Sequence, residues 1–394
     1  MSGRRVLTIN AGSSSLKAAV YLMDGDRSEV RLLRLEASRV GRSGGWLQVL
    51  GADGCRLFDG EQELPDFGVA LEAVIGWTRR AGQPLEPDVV AHRVVHGGSR
   101  YWQTTAVTPE LLTELDALAP VDPQHMPQEI ECIRRMGRAH SDLPQVVCFD
   151  TGFHHTMPPV ARNYAIPRRL AQAGIVHYGF HGLSYEYVIQ RLRELDGAAA
   201  SGRVIVAHLG NGASLAALRD GRSVDTSMGF SPMGGLVMGT RCGDLDPGLV
   251  LHLLRHEQLT PDQVSDLLGS RSGLLGVSET SSDMRDLLEH EASDSRAADA
   301  IELFCYQATK YIGAYAAALG GLDILAFTAG IGERAAPVRE RICAPLGFLG
   351  VELDPERNRC HERLISADAS RIKVRIVKTN EELMIARHAS RFVT

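Results

Sequence analysis

A short segment rich in glycine and serine, NAGSSSLK at residues 10–17, is the first part of the sequence that could do chemistry. Glycine and small hydroxyl residues allow backbone N–H groups to approach an anion closely, and Lys17 adds a positive charge. The alternative interpretation is a plain polar turn. Because the sequence has no G-x-x-x-x-G-K-[ST] motif, a P-loop is excluded. The segment therefore indicates either a phosphate site of another kind or a plain polar turn.

Two charged residues occur at the ends of apolar runs: Arg93 in HRVVHGG (92–98) and Asp150 in FDTGFHHTMP (149–158). An unpaired arginine inside a buried strand is costly, whereas at a strand end it can bind a carboxylate or phosphate through two N–H groups. A carboxylate at a strand end can hold Mg²⁺ or a nucleophile. A structural salt bridge for Arg93 and a turn or helix cap for Asp150 stay open as alternatives.

Glycines flank His181 in YGFHG (178–182), and Arg241 lies in a long segment rich in glycine, serine, threonine and methionine at 225–248. His177 and His181 are four residues apart, but the residues between them do not favour a helix. We therefore expect no metal pair and interpret His181 as facing a phosphate. The composition of 225–248 is typical of an active-site loop, and its methionine and leucine content argues against disorder.

The segment FTAGIGERA at 327–335 fits the pattern G-x-G-x-x-[GA] between an apolar run and a helix. This is formally a dinucleotide-binding fingerprint, but a single match is weak support. The same geometry suits any nucleotide phosphate or ribose at a helix N-terminus. An NAD-dependent dehydrogenase would rest on this match alone.

The elements that must position these residues follow one plan in both halves of the chain. Apolar alternation predicts a three-stranded meander with glycine-containing turns at 6–9, 16–22 and 29–35, and another at 203–209, 213–218 and 222–225. Helices and single buried strands follow each meander, which indicates α/β layers. Residues 38–66 are expected to form a surface hairpin or loop. The other predicted strands are 87–95, 145–149, 324–328 and 372–377, and the predicted helices are 69–80, 109–117, 128–136, 248–256, 261–268, 297–319, 337–343 and 381–391.

Composition narrows the class of protein. The 394 residues carry 42 basic and 48 acidic side chains, a net charge of −6, which argues against nucleic acid as a partner. The sequence shows neither an apolar run of about 18 residues nor a signal-peptide pattern, so we expect a cytoplasmic protein without a membrane partner. The seven cysteines are scattered without a C-x-x-C pair, which is typical of reduced thiols. The length favours two domains.

Taken together, these motifs resemble those of the acetate kinase family, within the acetate and sugar kinase, heat-shock chaperone and actin superfamily. Nine of them occur in the family's order: NAGSSSLK, HRVVHGG, FDTGFHHTMP, YGFHG, HLGNGAS, DTSMGFSPMGGLVMGTRCGDLDPG, SSDMRDL, FTAGIGER and TNEELMIAR. The resemblance implies an α/β fold with two duplicated actin-like (ribonuclease H-like) domains and an active-site cleft between them. It places an N-terminal domain at 1–150, completed by a C-terminal helix at about 381–394, and a nucleotide-binding domain at 151–380.

The resemblance also implies a function. The expected reaction is reversible phosphoryl transfer between ATP and acetate, giving acetyl phosphate and ADP, directly and in line, with Mg²⁺ or alternatively Mn²⁺. A homodimer is expected. Propionate or butyrate kinase activity is the alternative within the family. A non-catalytic ATP-dependent switch, similar to a heat-shock chaperone or actin, is the alternative outside it.

Roles for individual residues follow from the same resemblance. The implied catalytic residues are Asp150, Arg93, Arg241, His181 and His125. The implied nucleotide- and phosphate-binding residues are Lys17, Ser13, Ser15, His208, Asn211, Gly212, Asp283, Met284, Arg285, Gly330, Ile331, Gly332 and Arg334. Val95, Phe180 and Pro232 would contact the acyl group, with Arg93 on its carboxylate. Asn10 and Glu381 would position the metal ion.

The sequence departs from the family's motifs at four places. An insertion precedes His125, close to the expected acyl pocket. Tyr185 stands where the family commonly has a second histidine, Met284 where it has phenylalanine, and Arg334 where it has asparagine. None of these changes removes a group that could stabilise the charge of a migrating phosphoryl group, but the first leaves the acyl chain-length preference open.

Overall fold

The computed structural model of the protein describes residues 3–12, 14–25, 28–80 and 85–392. Ser13, which was predicted to line the phosphate path, lies outside the described residues. The chain divides into two compact units, of which the first consists of 1–152 and 380–394 and the second of 153–379. The described residues form an eight-stranded sheet in the first unit and a five-stranded sheet in the second.

The first unit contains β1 (Arg4–Ala11), β2 (Ser15–Met23), β3 (Glu29–Ser38), β4 (Trp46–Gly51), β5 (Arg56–Glu61), α1 (Phe67–Arg80), β6 (Val89–Val94), β7 (Thr105–Ala106), α2 (Pro109–Leu118), α3 (Met126–Ala139) and β8 (Gln145–Phe149). The second contains α4 (Pro159–Arg162), α5 (Arg168–Gln172), α6 (Gly182–Asp196), β9 (Arg203–Leu209), β10 (Ala213–Arg219), β11 (Arg222–Thr226), α7 (Pro247–Arg255), α8 (Pro261–Ser270), α9 (Gly273–Ser278), α10 (Met284–His290), α11 (Ser295–Leu319), β12 (Ile324–Thr328), α12 (Ala329–Arg334), α13 (Ala336–Cys343), α14 (Pro355–Arg359) and β13 (Lys373–Ile376). The chain then returns to the first unit with α15 (Glu381–Phe392).

The two sheets share one strand order. In the first unit, β3, β2 and β1 are antiparallel neighbours, and β1, β6 and β8 are parallel neighbours. In the second, β11, β10 and β9 are antiparallel, and β9, β12 and β13 are parallel. The first sheet is longer because β4 and β5 add an antiparallel hairpin and β7 pairs with β8. Of the two structures that the sequence allowed for residues 38–66, the hairpin is therefore the one formed.

Each unit buries its own apolar core. In the first, alternate residues of β1–β4 pack against α1, with Leu7, Leu16, Leu33, Leu47 and Leu71 almost fully buried. In the second, the core beneath α6 consists mainly of Tyr185, Val188, Ile189, Leu192, Val204, Val206, Ala216, Leu218, Ile324 and Ala326. Successive side chains of a strand point to opposite faces of the sheet. Every second residue of a strand therefore lies on the face that packs against the helices, and in these strands those residues are mainly leucine, valine, isoleucine and alanine.

Helix α6 is an element that the sequence interpretation did not include. It begins directly after His181, whose backbone has a left-handed φ of 59°. The expectation that residues 177–181 are not helical is confirmed. Buried Tyr185, Val188, Ile189 and Leu192 lie at helical spacing and could have revealed it.

Two further properties of the described residues concern membrane-spanning helices and thiols. The helices in those ranges lack the combination of length and apolar character needed to traverse a bilayer. The seven cysteines are free thiols, of which Cys55 and Cys360 are exposed and Cys242 is partly buried.

Candidate active site

In the first unit, three polar residues lie at one edge of the sheet. Because β1, β6 and β8 run parallel to one another, their carboxyl ends meet at the same edge. Asn10 is near the end of β1, Arg93 near the end of β6, and Asp150 directly follows β8. Glu381, the first residue of α15, joins them through a hydrogen bond from Asn10 Nδ2 to its Oε2 at 3.2 Å.

Arg93 is the centre of this cluster. Its Nη2 donates to Asp150 Oδ2 at 2.6 Å, and its Nη1 lies 3.4 Å from both Glu129 Oε1 and Asn10 Oδ1. The arginine side chain is 12% exposed, whereas those of Glu129 and Asp150 are 0% and 1% exposed. Both interpretations of Arg93 from the sequence therefore stay open, since a guanidinium that is paired on one side still presents N–H groups at a strand end.

Glu129 was not singled out from the sequence. It lies on the buried face of α3, and its second oxygen accepts a hydrogen bond from the backbone N–H of Val95 at 2.9 Å. A glutamate among the buried residues Met126, Ile130 and Ile133 was the available signal, because a carboxylate on an apolar helix face requires a partner.

The electrostatics of the cluster are those of several carboxyl groups around one guanidinium. Burial raises the pKa of Glu129 to about 8, although Arg93 opposes the shift. Burial, together with Asp150 and Glu382, raises the pKa of Glu381 to about 7. Burial also disfavours the charge of Arg93, but the surrounding carboxylates outweigh it and raise the pKa of this arginine. The cluster therefore has more acidic than basic groups and would be stabilised by an added cation.

The oxygen atoms of Asn10, Asp150 and Glu381 suit a magnesium ion in their chemistry. Mg²⁺ prefers oxygen ligands and is usually held by one or two carboxylates together with substrate phosphates. Within the described ranges, no group of three or more His, Cys, Asp or Glu side chains is arranged to hold a metal by itself. In their chemistry, the two carboxylates and one amide of this set fit a Mg²⁺ ion that also takes phosphate or water oxygens as ligands.

The remaining predicted residues of the first unit lie on neighbouring elements. Lys17 on β2 is paired in register with Asn10, and Ser15 is the first residue of β2. His125 precedes α3, one turn before Glu129, and its Nδ1 lies 2.9 Å from Asp122 Oδ2. Val95 follows β6 and is almost fully buried.

In the second unit, the turn between β9 and β10 brings several predicted residues together. A Cβ placed on Gly212 would lie 3.4 Å from His181 Nε2 and 3.7 Å from Arg241 Nη1. The imidazole and the guanidinium therefore both lie next to the Cβ position of Gly212. Arg241 is held there by a hydrogen bond from Nη1 to the Pro232 carbonyl at 3.0 Å. Asn211 accepts a backbone hydrogen bond from Gly239 at 2.9 Å.

Two imidazole rings stack in the same unit. The rings of His181 and His208 are 4.0 Å apart with an interplanar angle of 14°. Nδ1 of His181 lies 2.8 Å from Ser214 Oγ, and Nδ1 of His208 lies 2.8 Å from Ser184 Oγ. In each ring a serine hydroxyl lies at Nδ1, and Nε2 lies toward the β9–β10 turn, 3.4 Å from the Cβ position of Gly212 for His181 and 3.9 Å from that of Gly210 for His208.

The expected nucleotide segments border this turn. A Cβ on Gly210 would lie 3.6 Å from the Cβ of Ala329, which precedes Gly330 in α12. A Cβ on Gly239 would lie 3.2 Å from the Ser282 carbonyl, next to Asp283. Asp283 caps α10 through Arg285 N at 2.9 Å, Met284 is buried, and Arg285 is exposed. Ile331, Gly332 and Arg334 complete α12, and the buried Phe180 lies directly before His181.

The turn of α12 has a support that the sequence did not reveal. Arg339 is fully buried and donates from Nη1 to the Gly332 carbonyl at 2.9 Å. Its other donors reach Asn358 Oδ1 and the Asn358 carbonyl, both at 2.8 Å. Burial lowers the pKa of Arg339 to about 10. An arginine within an amphipathic helix pattern is ordinarily assigned to the surface, so no sequence signal marked it.

Solved structures with the same fold define the class of protein. A crystal structure of Porphyromonas gingivalis acetate kinase matches with a TM-score of 0.87 and 34% identity, covering 99% of this chain and 100% of that one. A propionate kinase from Francisella tularensis matches with a TM-score of 0.89 and 34% identity over 98% of both chains. The protein therefore has the duplicated actin-like α/β fold, as the sequence predicted.

Sequence comparison narrows the class to a family. The model of the Acetokinase family matches residues 5–387. Relatives named acetate kinase include one from Rhodopseudomonas palustris, 44% identical over 98% of each chain, and one from Methylocella silvestris, 42% identical over 98% of this chain and 97% of the other. The chain belongs to the acetate kinase family, whose named members are phosphotransferases with a carboxyl group as acceptor.

Proposed function

We propose that this protein catalyses reversible phosphoryl transfer between ATP and acetate, giving acetyl phosphate and ADP. The observation that carries the proposal is the convergence of His181 Nε2 and Arg241 Nη1 on the point beside Gly212. A migrating phosphoryl group passes through a loose in-line state with its charge spread over three oxygens, so positioning and cationic or N–H donors supply most of the catalysis. This pair is suited to those oxygens.

Residues of the first unit support the same reaction. We assign Arg93 to the carboxylate of the acid and to the transferring group, His125 to a phosphoryl oxygen, and Lys17 and Ser15 to the phosphate path. Asn10, Asp150 and Glu381 would hold Mg²⁺, which neutralises the phosphate charge when bound. Mn²⁺ would take the same oxygen ligands.

Asp150 acts as a positioning carboxylate in this proposal. The acid substrate is already ionised at neutral pH, so attack by its oxygen requires no strong general base. Asp150 Oδ2 is also engaged with Arg93 at 2.6 Å, which suits a fixed orienting group. We therefore propose direct transfer, without a phosphorylated carboxylate of the enzyme.

The nucleotide would be held by the second unit. His208, Asn211 and Gly212 border the phosphate position, and the adenosine would contact segments 283–285 and 330–334. Backbone N–H groups at a turn or at the start of a helix suit phosphate oxygens. Residues 283–285 as well as the glycine pattern of α12 border the β9–β10 turn. The site therefore has two segments for one adenosine, which favours ATP over a dinucleotide.

The preferred acid is the finer part of the proposal. We assign Val95, Phe180 and Pro232 to the acyl methyl group. One methylene is worth only about 1–3 kcal/mol in a pocket, so activity on propionate is expected beside activity on acetate. Propionate or butyrate kinase activity is the second candidate, and the similarity to the Francisella tularensis propionate kinase supports it. We also propose a homodimer.

Steady-state kinetics with Mg²⁺–ATP and acetate, propionate or butyrate, with acyl phosphate trapped as the hydroxamate, tests the function. We expect the highest kcat/KM with acetate; a higher value with propionate or butyrate would assign the second candidate. Arg93→Ala and Arg241→Ala should each lower kcat by about 10²–10³-fold. The exposed Arg100→Ala and Arg255→Ala serve as controls and should retain activity.

Two results would contradict the proposal. One is the absence of acyl phosphate with all three acids from a folded, pure protein. The other is a stable phosphoenzyme on Asp150 or another carboxylate, which would replace direct transfer by a two-step route. Light scattering beside size-exclusion chromatography tests the dimer against the 42.8 kDa mass of one chain.

A further inference from the structure

A buried hydroxyl lies behind each of the two stacked imidazoles. Ser214 Oγ, which contacts His181 Nδ1 at 2.8 Å, lies 2.5 Å from the hydroxyl of Tyr185. Ser184 Oγ, which contacts His208 Nδ1 at 2.8 Å, lies 2.8 Å from Thr379 Oγ1. Tyr185 and Ser214 are both 0% exposed. Each ring is therefore held by a pair of hydroxyl groups on the side away from the site.

The chemistry required at Nε2 sets the direction of these hydrogen bonds. A neutral imidazole carries one N–H, and only an Nε2–H can donate to an anion beside Gly212. Nδ1 of His181 must then accept, so Ser214 donates to it. The Ser214 oxygen in turn accepts from Tyr185, which is the better donor because a phenol is a stronger acid than an alcohol. The three groups give a chain Tyr185 O–H to Ser214 O–H to His181 Nδ1.

Packing fixes the position of the tyrosine. Tyr185 lies in the first turn of α6, so the chain segment that carries His181 also carries the group behind it. Its ring stacks on Phe153 at 6.2 Å and meets the edge of His154 at 5.5 Å. A buried tyrosine hydroxyl ordinarily has a hydrogen-bond partner, and a linked chain of hydrogen bonds is polarised cooperatively.

We propose that Tyr185 is a positioning residue of the phosphotransfer site, which acts through Ser214 to keep His181 in the Nε2–H form. The proposal rests on the proposed function, since the anion that Nε2–H would meet is the migrating phosphoryl group. Tyr185 does not touch the substrate. It occupies the position at which the family commonly has histidine, and its hydroxyl is hydrogen-bonded to Ser214.

Kinetics of Tyr185→Phe test the role. The variant loses only the hydroxyl, so kcat should fall about fivefold to tenfold while KM for ATP and the acid changes less than about twofold. Tyr185→His, which restores a donor, should recover most of the loss. Tyr187→Phe on the same helix is the matched control and should leave kcat unchanged. The Tyr185→Phe, Ser214→Ala double variant should be no slower than Ser214→Ala alone, because both changes break one chain.

The tautomer of His181 provides a readout that does not depend on activity. ¹⁵N spectra of histidine-labelled protein, with the His181 signals assigned by their loss in His181→Gln, should show Nε2–H in the unaltered protein and a mixture with Nδ1–H in Tyr185→Phe. An Nδ1–H tautomer in the unaltered protein would overturn the proposal, even if Tyr185→Phe did not fold. An unchanged tautomer and kcat in a folded Tyr185→Phe would also overturn it. If the protein transferred no phosphoryl group, loss of Nε2–H in Tyr185→Phe would still support the chain while the proposed function failed.

Discussion

In the first unit, the candidate site is built around the hydrogen bonds of one residue, Arg93. Arg93 and Asp150 were recognisable because charged residues at the ends of apolar strands need a partner. Glu129, on α3, accepts a hydrogen bond from Arg93, from which it is separated by 36 positions in the sequence. A partner that far away is fixed only by the packing of α3 on the sheet, so the sequence could indicate that one exists but not which residue it is.

The raised pKa values in this cluster give a pH-dependent stability. A carboxyl group whose pKa is higher in the folded than in the unfolded chain binds an extra proton when folded. Its contribution to the free energy of unfolding is therefore complete below about pH 4.5 and is lost as the pH rises toward 8. With Glu129 near 8 and Glu381 near 7, we expect the first unit to lose on the order of a few kcal/mol between pH 5 and pH 8 from these groups.

Urea unfolding followed by tryptophan fluorescence measures this effect, because Trp46, Trp77 and Trp102, which are the three tryptophans, all lie in the first unit. Glu129→Gln cannot titrate and should flatten the pH dependence. Glu131→Gln on the same helix is the control and should keep the slope, since its pKa is lowered by Arg135. An equal slope in Glu129→Gln and the unaltered protein would contradict the assignment.

Gly212 is the second residue at which a small change should have a large effect. A methyl group there would meet His181 and Arg241 at ordinary van der Waals distances of 3.4 and 3.7 Å, so Gly212→Ala should fold with a stability change below about 1 kcal/mol. The methyl would nevertheless occupy the place of the anion. We expect kcat/KM to fall at least about tenfold, measured beside thermal unfolding.

Gly347→Ala is the control for that prediction. A Cβ at this position meets nothing within 4 Å, and the residue lies away from the β9–β10 turn in sequence. It should keep both stability and kcat/KM. Full activity of Gly212→Ala would show that the phosphoryl group binds elsewhere.

At the scale of elements, long helix α11 illustrates what local rules determine. Asp294 caps its first turn by accepting from Arg296 N at 3.0 Å, and Gly320 ends it with a left-handed φ of 70°. Both ends lie within two residues of the predicted bounds 297–319, because capping residues and terminal glycines can be recognised in the sequence. Helix α6 was missed because its start follows a left-handed His181, and the glycines around it obscured the apolar spacing.

Two glycines of α11 make these rules testable with one chemical change. Gly313 lies inside the helix with nothing within 4 Å of its Cβ position, so Gly313→Ala should stabilise the second unit by about 0.5–1 kcal/mol. Gly320→Ala, at the left-handed end, should destabilise it by about 1 kcal/mol. Calorimetric unfolding of both variants checks the opposite signs, and two shifts of the same sign would contradict the prediction.

At the scale of the whole molecule, the repeated strand order could be predicted only as a theme. The two meanders share glycine-containing turns and a following series of helices and single strands, so the sequence indicated repetition without residue-by-residue similarity. The pairing of β1 with β6 and β8, and of β9 with β12 and β13, depends on contacts between strands separated by long helical segments. The family resemblance implied the duplicated fold, which the structure confirms, but the individual strand pairings were not predicted.

The division of the chain into two units gives a prediction for nucleotide binding. Apart from Lys17 and the serines of the first turn, the residues assigned to the nucleotide lie in the second unit. Hydrogen exchange with Mg²⁺–ADP should slow most in peptides that contain 208–212, 283–285 and 330–334. NAD⁺ at the same concentration is the control and should protect little. Protection confined to the first unit would contradict the assignment, and stronger protection by NAD⁺ would favour a dehydrogenase.

The distribution of the cysteines has a practical consequence. Cys55 and Cys360 are the exposed thiols, and one belongs to each unit. The buried thiols, whose pKa is raised by burial at Cys132, Cys305 and Cys343, are poor nucleophiles toward maleimides. The chain therefore presents one exposed thiol in each unit for dye attachment, and energy transfer between dyes at Cys55 and Cys360 can report movement during turnover once the partly buried Cys242 is replaced.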